Sequence, residues 1–234
     1  MAALVEGVAR ALEEVATWEI IFVDDSDDAT PEAVVAAGRR APVRLHHRPA
    51  GRRAAGLGGA VMEGFASARG RVVAVMDGDL QHPPDVLPRL VGPVLAGQAD
   101  LVAGTRYDAG GAAAGLSGPW RVTVSRSARR LVHALVPASR CLSDPMSGLF
   151  AVDPALLTGV QLRPCGFKIL LELTVRAQPQ RVGNVAFRFA DRRWGRSKAG
   201  PREGLRLARL VWRLRRAGST GRWTGGDRRP VNGP

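Results

Sequence analysis

The chain has 234 residues, 45% hydrophobic and 24% charged, a globular balance that excludes intrinsic disorder and provides one large domain or two small ones. Two cysteines, Cys141 and Cys165, are too few and too far apart for a disulfide scaffold, a zinc ribbon or a CxxC redox pair, and predict a reducing, intracellular setting. The formal charge of +13 sits at one end: residues 181–234 carry 15 Lys and Arg against three acids, whereas the first 180 carry 19 against 18.

The opening Met1-Ala2-Ala3-Leu4-Val5-Glu6 has no basic region ahead of an apolar core, which predicts no secretory signal. The longest uncharged run, 109–120, is mostly Gly and Ala and falls short of the roughly 18 to 20 apolar residues of a membrane span. Leu4, Val5, Val8, Ala11, Leu12 and Val15 recur at helical spacing, so the chain opens in a helix. The run 18–23 then reads as a buried strand ending in Asp24-Asp25, and Thr30-Pro31-Glu32 supplies an N-cap and a first-turn proline for a helix through 39. The alternation continues with a strand at 43–46, a helix at 58–69, a strand at 71–76 ending in Asp77-Gly78-Asp79, a helix at 85–95 and a strand at 100–104. This pattern predicts an α/β fold with a mainly parallel sheet, whose ligands lie beyond the carboxyl ends of the strands, where Asp24, Asp25, Asp77, Asp79 and Arg106 fall. A Gly/Ala loop, a helix at 120–136, a strand near 149–152, a helix at 167–176 and a strand at 182–189 follow, and composition predicts disorder from Gly218 onward.

Asp77-Gly78-Asp79 is the most informative short stretch. Two carboxylates separated by one small residue hold a hard divalent cation whose other ligands are water and substrate phosphates, so the pair predicts a diphosphate site. Alone, the pattern is equally that of turn and cap carboxylates. Gln81 adds an oxygen ligand, and Pro83-Pro84 stiffen the loop. Asp24-Asp25 are read equally well as turn acids. Gly56-Leu57-Gly58-Gly59 has neither a strand leading into it nor a partner acid, and reads as a close-packed helix start rather than a dinucleotide loop. His46, His47, His82 and His133 show no metal-ligand spacing.

Arg106 follows a strand, and Arg192-x-x-Gly195-x-Ser197-Lys198 combines two cations, a hydroxyl and a glycine in a segment able to close over an anion. In a helical projection of 201–216, Arg202, Arg206, Arg209, Arg213 and Arg216 form one stripe, with Leu205, Leu207, Leu210, Val211, Trp212 and Leu214 over most of the remainder. This suits an anionic membrane surface, with Leu205, Val211 and Trp212 on the apolar side; a packed helix with solvated arginines is the competing explanation. No aromatic platform or recognition motif supports nucleic acid as a partner.

Taken in order, these segments resemble the dolichol-phosphate (polyprenol-phosphate) mannosyltransferases, family-two glycosyltransferases with a GT-A fold. The stretches that carry the resemblance are Val23-Asp24-Asp25, Asp77-Gly78-Asp79-Leu80-Gln81-His82-Pro83-Pro84, Gly104-Thr105-Arg106-Tyr107, Asp144-Pro145-Met146-Ser147-Gly148, Gly166-Phe167-Lys168-Ile169-Leu170-Leu171-Glu172 and 189–198. The Gln-His-Pro-Pro form of the loop looks like the mannosyl members. The resemblance implies Val23 and Asp25 at the nucleotide, Gly78 against the donor, and Asp77, Asp79 and Gln81 at Mg2+ or Mn2+. It also implies Arg106 facing the phosphates, Arg192 and Lys198 in a loop closing over the substrates, and Arg121 and Ser125 at the lipid phosphate. Asp77, Asp79, Arg106 and Arg192 would carry catalysis: inverting transfer of mannose from GDP-mannose to a polyprenyl phosphate.

The implied organisation is a GT-A catalytic domain at 1–200, a basic amphipathic interface helix at 201–217 and a disordered tail at 218–234. The implied setting is cytoplasmic and peripheral on the inner face of the membrane, with a separate membrane-anchoring protein as a further partner. Three features depart from the family pattern. The family's first strand, ending in Pro-Thr-x-Asn-Glu, is missing and the chain opens in the helix that follows it; the loop Ser26-Asp27-Asp28-Ala29-Thr30 is one residue short; and Arg196 replaces an acid before Ser197. The alternatives are a polyprenyl-phosphate glucosyltransferase, an impaired paralogue that binds nucleotide sugar or lipid, and a receiver-like signalling domain, which also needs a lysine after its fifth strand where this chain has none before Lys168.

Overall fold

The computed structural model describes residues 1–15, 17–108, 119–163, 168–190 and 201–218. Helix α1 (Ala2–Ala11) turns Leu4, Val5 and Val8 inward, as their spacing requires. Strand β1 (Ile20–Asp24) pairs in parallel with β2 (Val43–His47), Ile20 opposite Val43, and α2 (Thr30–Ala37) crosses between them with Pro31 in its first turn. There follow α3 (Gly56–Ser67), β3 (Val73–Val75), α4 (Leu87–Leu95), β4 (Leu101–Thr105), α5 (Pro119–Leu135), β5 (Phe150–Val152), α6 (Ile169–Ala177), β6 (Val182–Ala186) and α7 (Pro201–Gly218). The Gly-rich stretch does begin a helix. A Cβ on Gly59 would lie 2.1 Å from the Ala54 carbonyl oxygen and 2.9 Å from Arg48 Nη1, so close packing rather than nucleotide contact demands this glycine.

Strand β4 is wholly buried between parallel β6 and antiparallel β5, and β5 pairs in turn with β3. The β1–β2 and β4–β6 ladders are parallel, as the alternation predicts, and both antiparallel ladders involve β5. Its reversal matters for the site: Phe150 opens β5 opposite Val75 and Ala103, so the loop ahead of it, carrying Asp144 to Gly148, arrives at the carboxyl ends of both β3 and β4.

The β-structure forms two sheets, β1-β2 and β3-β5-β4-β6, with no ladder between β1 and β3 among the described residues. All five residues of β1 are only half-buried, and Ala74 in β3 is exposed. The same helices pack on both sheets. Leu4 and Val8 of α1 share a cluster with Ile20, Phe22, Val72 and Met76, while Val61, Met62 and Phe65 of α3 pack with Val73 and Val75, and a Cβ on Gly64 of α3 would meet Val23 at 3.7 Å. An added strand seated between β1 and β3, tested by placing a Pro-Thr-x-Asn-Glu segment ahead of Met1, is therefore expected to satisfy edge groups of both. The midpoint of thermal unfolding should rise by ~2–4 °C for each kcal/mol gained. An unchanged midpoint and unchanged GDP affinity would show that these edges need no further strand.

Helix α7 is anchored rather than loosely laid on. Leu210, Val211 and Leu214 are buried with Val132 and Val136 around α5 and with Leu171 and Val175 of α6. Val211 thus belongs to the core, whereas Leu205 and Trp212 are 53% and 57% exposed. The stripe of cations left several faces open to packing, and burial of apolar area on α5 and α6 decided which one turned inward. The tail at 219–234 lies outside the described residues.

Candidate active site

The carboxyl end of β3 runs into a tight turn in which Leu80, a non-glycine residue, is held at φ 63°. That conformation brings the Gln81 N–H onto Asp79 Oδ1 at 3.1 Å. The Gln81 side chain is buried, its Nε2 donates to the Ala190 carbonyl at 3.2 Å, and the Ala190 N–H donates back to the Gln81 carbonyl at 3.0 Å. The residue that leads into the 191–198 segment is thereby tied to the carboxylate turn. Arg192 and Lys198 themselves lie outside the described residues.

His82, to which spacing assigned no chemistry, proves to be part of this turn. Its buried Nδ1 accepts the Asp77 N–H at 3.1 Å, and its ring meets Phe187 and Phe189 edge-on at 5.4 and 5.5 Å. Burial holds its pKa down at about 4 against an ordinary 6.5, so the ring is neutral and Nδ1 keeps the lone pair that the Asp77 amide needs. Because the folded value lies below the unfolded one, this stabilisation is complete above pH 6.5 and is lost as pH falls through about 4. Its full size is about 3 kcal/mol. In the metal-free protein, His82→Gln should therefore lose less urea stability than the parent between pH 7 and pH 4; parallel losses would remove His82 as the cause.

The returning loop completes the floor. A Cβ on Gly148 would meet Asp77 Oδ2 and His82 Cε1, both at 3.3 Å, so glycine here keeps the space before the Asp77 carboxylate open. Asp144, fully buried, accepts Arg106 Nε at 2.7 Å, and its other oxygen, Oδ1, is buried without a hydrogen-bond partner. Burial works against the charge on Arg106, but the adjacent Asp144, with a smaller contribution from Asp77, outweighs it and raises the guanidinium pKa. The same guanidinium lies 5.4 Å from the Phe189 ring and 5.5 Å from that of Tyr107.

Ser125 on α5 is joined to this cluster through Tyr107, whose phenol oxygen is 2.5 Å from Ser125 Oγ. The Arg121 side chain lies outside the described residues. Lys168 Nζ donates to the Met146 carbonyl at 3.0 Å, bracing the returning loop from the start of α6. On the other sheet, Asp25 accepts Arg48 through both oxygens, Nε to Oδ1 at 2.7 Å and Nη2 to Oδ2 at 2.6 Å. Arg48 is 3% exposed and also donates to the Gly56 carbonyl at 2.8 Å, so Asp25 fastens the start of α3 to β1. Asp24 accepts from Ser26 Oγ and faces His47 Nδ1.

The structure therefore gathers Asp77, Gly78, Asp79, Gln81 and Arg106 at one sheet end, reaches Ser125 through Tyr107, and places Val23 and Asp25 on the neighbouring sheet. Sequence reasoning placed His82, Asp144, Gly148 and Tyr107 in the stretches that carry the resemblance but gave them no role, and it passed over Arg48. The Asp144 loop carried a signal in its Asp-Pro-x-Ser-Gly turn, but only the antiparallel course of β5 reveals where that turn goes. Among the described residues no cluster of three His, Cys, Asp or Glu side chains is assembled for a metal. Two carboxylates, an amide and the space kept by Gly148 nonetheless fit a hard cation that draws its remaining ligands from water and phosphate.

Residues 2–140 match the family model for glycosyl transferase family 2. The chain is 36% identical over 198 residues to a dolichol-phosphate mannosyltransferase of Pyrococcus furiosus, covering 84% of this chain and 55% of that protein. It is 37% identical over 197 residues to that of Saccharomyces cerevisiae, covering 77% and 68%. It thus spans about half to two thirds of the length of these curated relatives. A solved structure of glucosyl-3-phosphoglycerate synthase from Mycobacterium tuberculosis with Mn2+, UDP-glucose and phosphoglyceric acid superposes with a TM-score of 0.64 at 23% identity, covering 96% of this chain and 78% of that one. The alternating elements, the carboxylate turn at the end of β3 and these likenesses agree: the chain has a GT-A fold and belongs to glycosyl transferase family 2.

Proposed function

We propose that this chain transfers a hexosyl group, mannose from GDP-mannose, to the phosphate of a polyprenyl lipid with inversion at the anomeric carbon. The observation that carries the reading is the meeting of the Asp77/Asp79 turn with the Arg106–Asp144 pair at the carboxyl ends of β3 and β4, within reach of Ser125, in a chain similar to dolichol-phosphate mannosyltransferases. A lipid phosphate oxygen forms a bond to the anomeric carbon while the bond to the diphosphate breaks, and its electron pair departs with GDP. The nucleophile is already an anion, so no residue has to remove a proton. Mg2+ or Mn2+ held by Asp77, Asp79 and Gln81 would supply charge neutralisation at the diphosphate. Arg106, oriented by Asp144, meets the same developing charge with a preorganised guanidinium. Arg192 and Lys198 are assigned to closure over the donor, Arg121 and Ser125 to the acceptor phosphate, and Val23, Asp25 and Gly78 to the donor side.

Among the described residues no helix is long and apolar enough to cross a membrane. We assign α7 to the membrane surface, on which the acceptor lies: Arg206, Arg209 and Arg216 are exposed beside Leu205 and Trp212, and the Arg216 guanidinium sits 3.8 Å from the Trp212 ring. Each arginine near an anionic surface contributes about 1 kcal/mol. Changing Arg206 and Arg209 to Gln should weaken sedimentation with anionic vesicles by roughly thirtyfold while GDP binding is unchanged. Sedimentation equal to the parent would make α7 a packing or protein-docking helix.

The donor and acceptor are tested together by offering radiolabelled GDP-mannose and UDP-glucose in parallel with a polyprenyl phosphate. Label from GDP-mannose in the chloroform phase is the expected result. Label from UDP-glucose alone would make the chain a glucosyltransferase, and none from either would make it a binding paralogue.

A further inference from the structure

Tyr107 is the chain's one tyrosine, and its place is unusual. It follows Arg106 at the carboxyl end of β4, and its N–H donates to Thr105 Oγ1 at 3.2 Å. Its ring faces two guanidiniums, that of Arg106 at 5.5 Å and that of Arg129 at 4.5 Å. Its hydroxyl reaches Ser125 Oγ at 2.5 Å. Arg129 stands one turn beyond Ser125 on α5, and its Nη1 donates to the Ser143 carbonyl at 3.0 Å, next to the Asp144 that holds Arg106. Contacts thus run in a closed circuit from Arg106 to Tyr107, across to Ser125 and Arg129 on α5, and back through Ser143 and Asp144. Arg129 Nε is buried without a hydrogen-bond partner, so stacking on Tyr107 and the single bond to Ser143 fix the guanidinium.

We propose that Tyr107 is a positioning residue that sets Ser125 for the acceptor phosphate while holding α5 in register with Arg106, an inference that rests on the acceptor reading above. Either oxygen of the Tyr107–Ser125 pair can donate. An anionic phosphate at Ser125 accepts its hydroxyl proton, which leaves Ser125 Oγ as acceptor and Tyr107 as donor. The phenol then polarises the serine toward the phosphate, and two hydrogen bonds in line strengthen one another. Tyr107→Phe removes this proton and keeps the ring between the two arginines, whereas Tyr107→Leu removes both.

The test uses the full chain with two soluble probes, GDP for the donor side and citronellyl phosphate for the acceptor side, followed by calorimetry and steady-state kinetics. Tyr107→Phe should weaken citronellyl phosphate binding and raise the acceptor KM by about five- to tenfold, the size of one hydrogen bond between neutral groups, with kcat and GDP affinity close to the parent's. Tyr107→Leu should in addition lower kcat, because Arg106 loses its ring contact. Parent-like acceptor KM in Tyr107→Phe, or equal weakening of GDP and acceptor, overturns the proposal. Should the parent itself ignore citronellyl phosphate, the acceptor reading fails separately. Tyr107 is then judged by thermal unfolding of Tyr107→Phe, Ser125→Ala and the double variant: non-additive shifts support the coupling, and additive ones overturn it.

Discussion

Asp79→Asn is expected to lower turnover by about a thousandfold under saturating Mg2+ or Mn2+, the scale on which losing a charge-stabilising group acts. The substitution is informative because it preserves shape. Asn retains an Oδ1 that can accept the Gln81 N–H now held at 3.1 Å, so the turn around Leu80 should persist and the thermal midpoint should stay near the parent's. What disappears is one negative charge from a site that otherwise has Asp77 and the neutral amide of Gln81. A divalent cation bound through two carboxylates depends steeply on that charge, and the diphosphate leaving group depends on the cation. Parent-like turnover in Asp79→Asn, or full activity in excess EDTA, would sink the metal assignment while leaving the fold untouched.

Asp144→Leu should destabilise the protein by about 3–5 kcal/mol, because it strips the counter-charge from a guanidinium that has been taken out of water. Arg106 donates to Asp144 at 2.7 Å, and the remaining groups around it, the Tyr107 and Phe189 rings and the smaller contribution of Asp77, offer the cation only weak compensation. Replacing both partners, Arg106→Leu with Asp144→Leu, should restore much of the stability and none of the activity, since it removes the uncompensated charge along with the residue proposed to meet the donor phosphates. Urea unfolding of the parent, Asp144→Leu and the double variant distinguishes these effects. If Asp144→Leu unfolds with the parent's midpoint, the pair is not sustaining the site, and Arg106 must draw its orientation from elsewhere.

Much of this was legible in the order of residues. Apolar runs ending in acids marked β1 and β3 and put Asp77 and Asp79 at a sheet end, because a short apolar run and the ligand loop after it have distinct local signatures. Both strands nonetheless prove half-buried, and among the described residues β3 pairs only with antiparallel β5. The stacking of Tyr107 between Arg106 and Arg129 was not legible, since Arg129 comes from a different element far along the chain and aromatic–cation contacts leave no periodic trace. His82 was passed over for a related reason: its partner is a backbone amide five residues away, and only burial between Phe187 and Phe189 makes the ring a dedicated acceptor. For α7 the pattern gave the helix and its cations but not the direction of Val211, which depends on apolar surface offered by α5 and α6.

The interruption between β1 and β3 has a consequence for motion. In an unbroken sheet, peeling one strand away requires breaking a row of backbone bonds together, and that cooperativity carries rigidity from strand to strand. Here the unit formed by β1, α2 and β2 is held to the remainder through side chains of α1 and α3 and through isolated hydrogen bonds such as Arg48 to the Gly56 carbonyl and Arg44 to the Ser67 carbonyl, contacts that yield one at a time. Amide protons of residues 20–47 should therefore exchange with solvent by a shallower opening than those of β4, which is bonded on both edges and wholly buried. A ligand that touches both Asp25 and Asp79 would couple the two bodies, and its binding would register as slowed exchange in a region it barely covers.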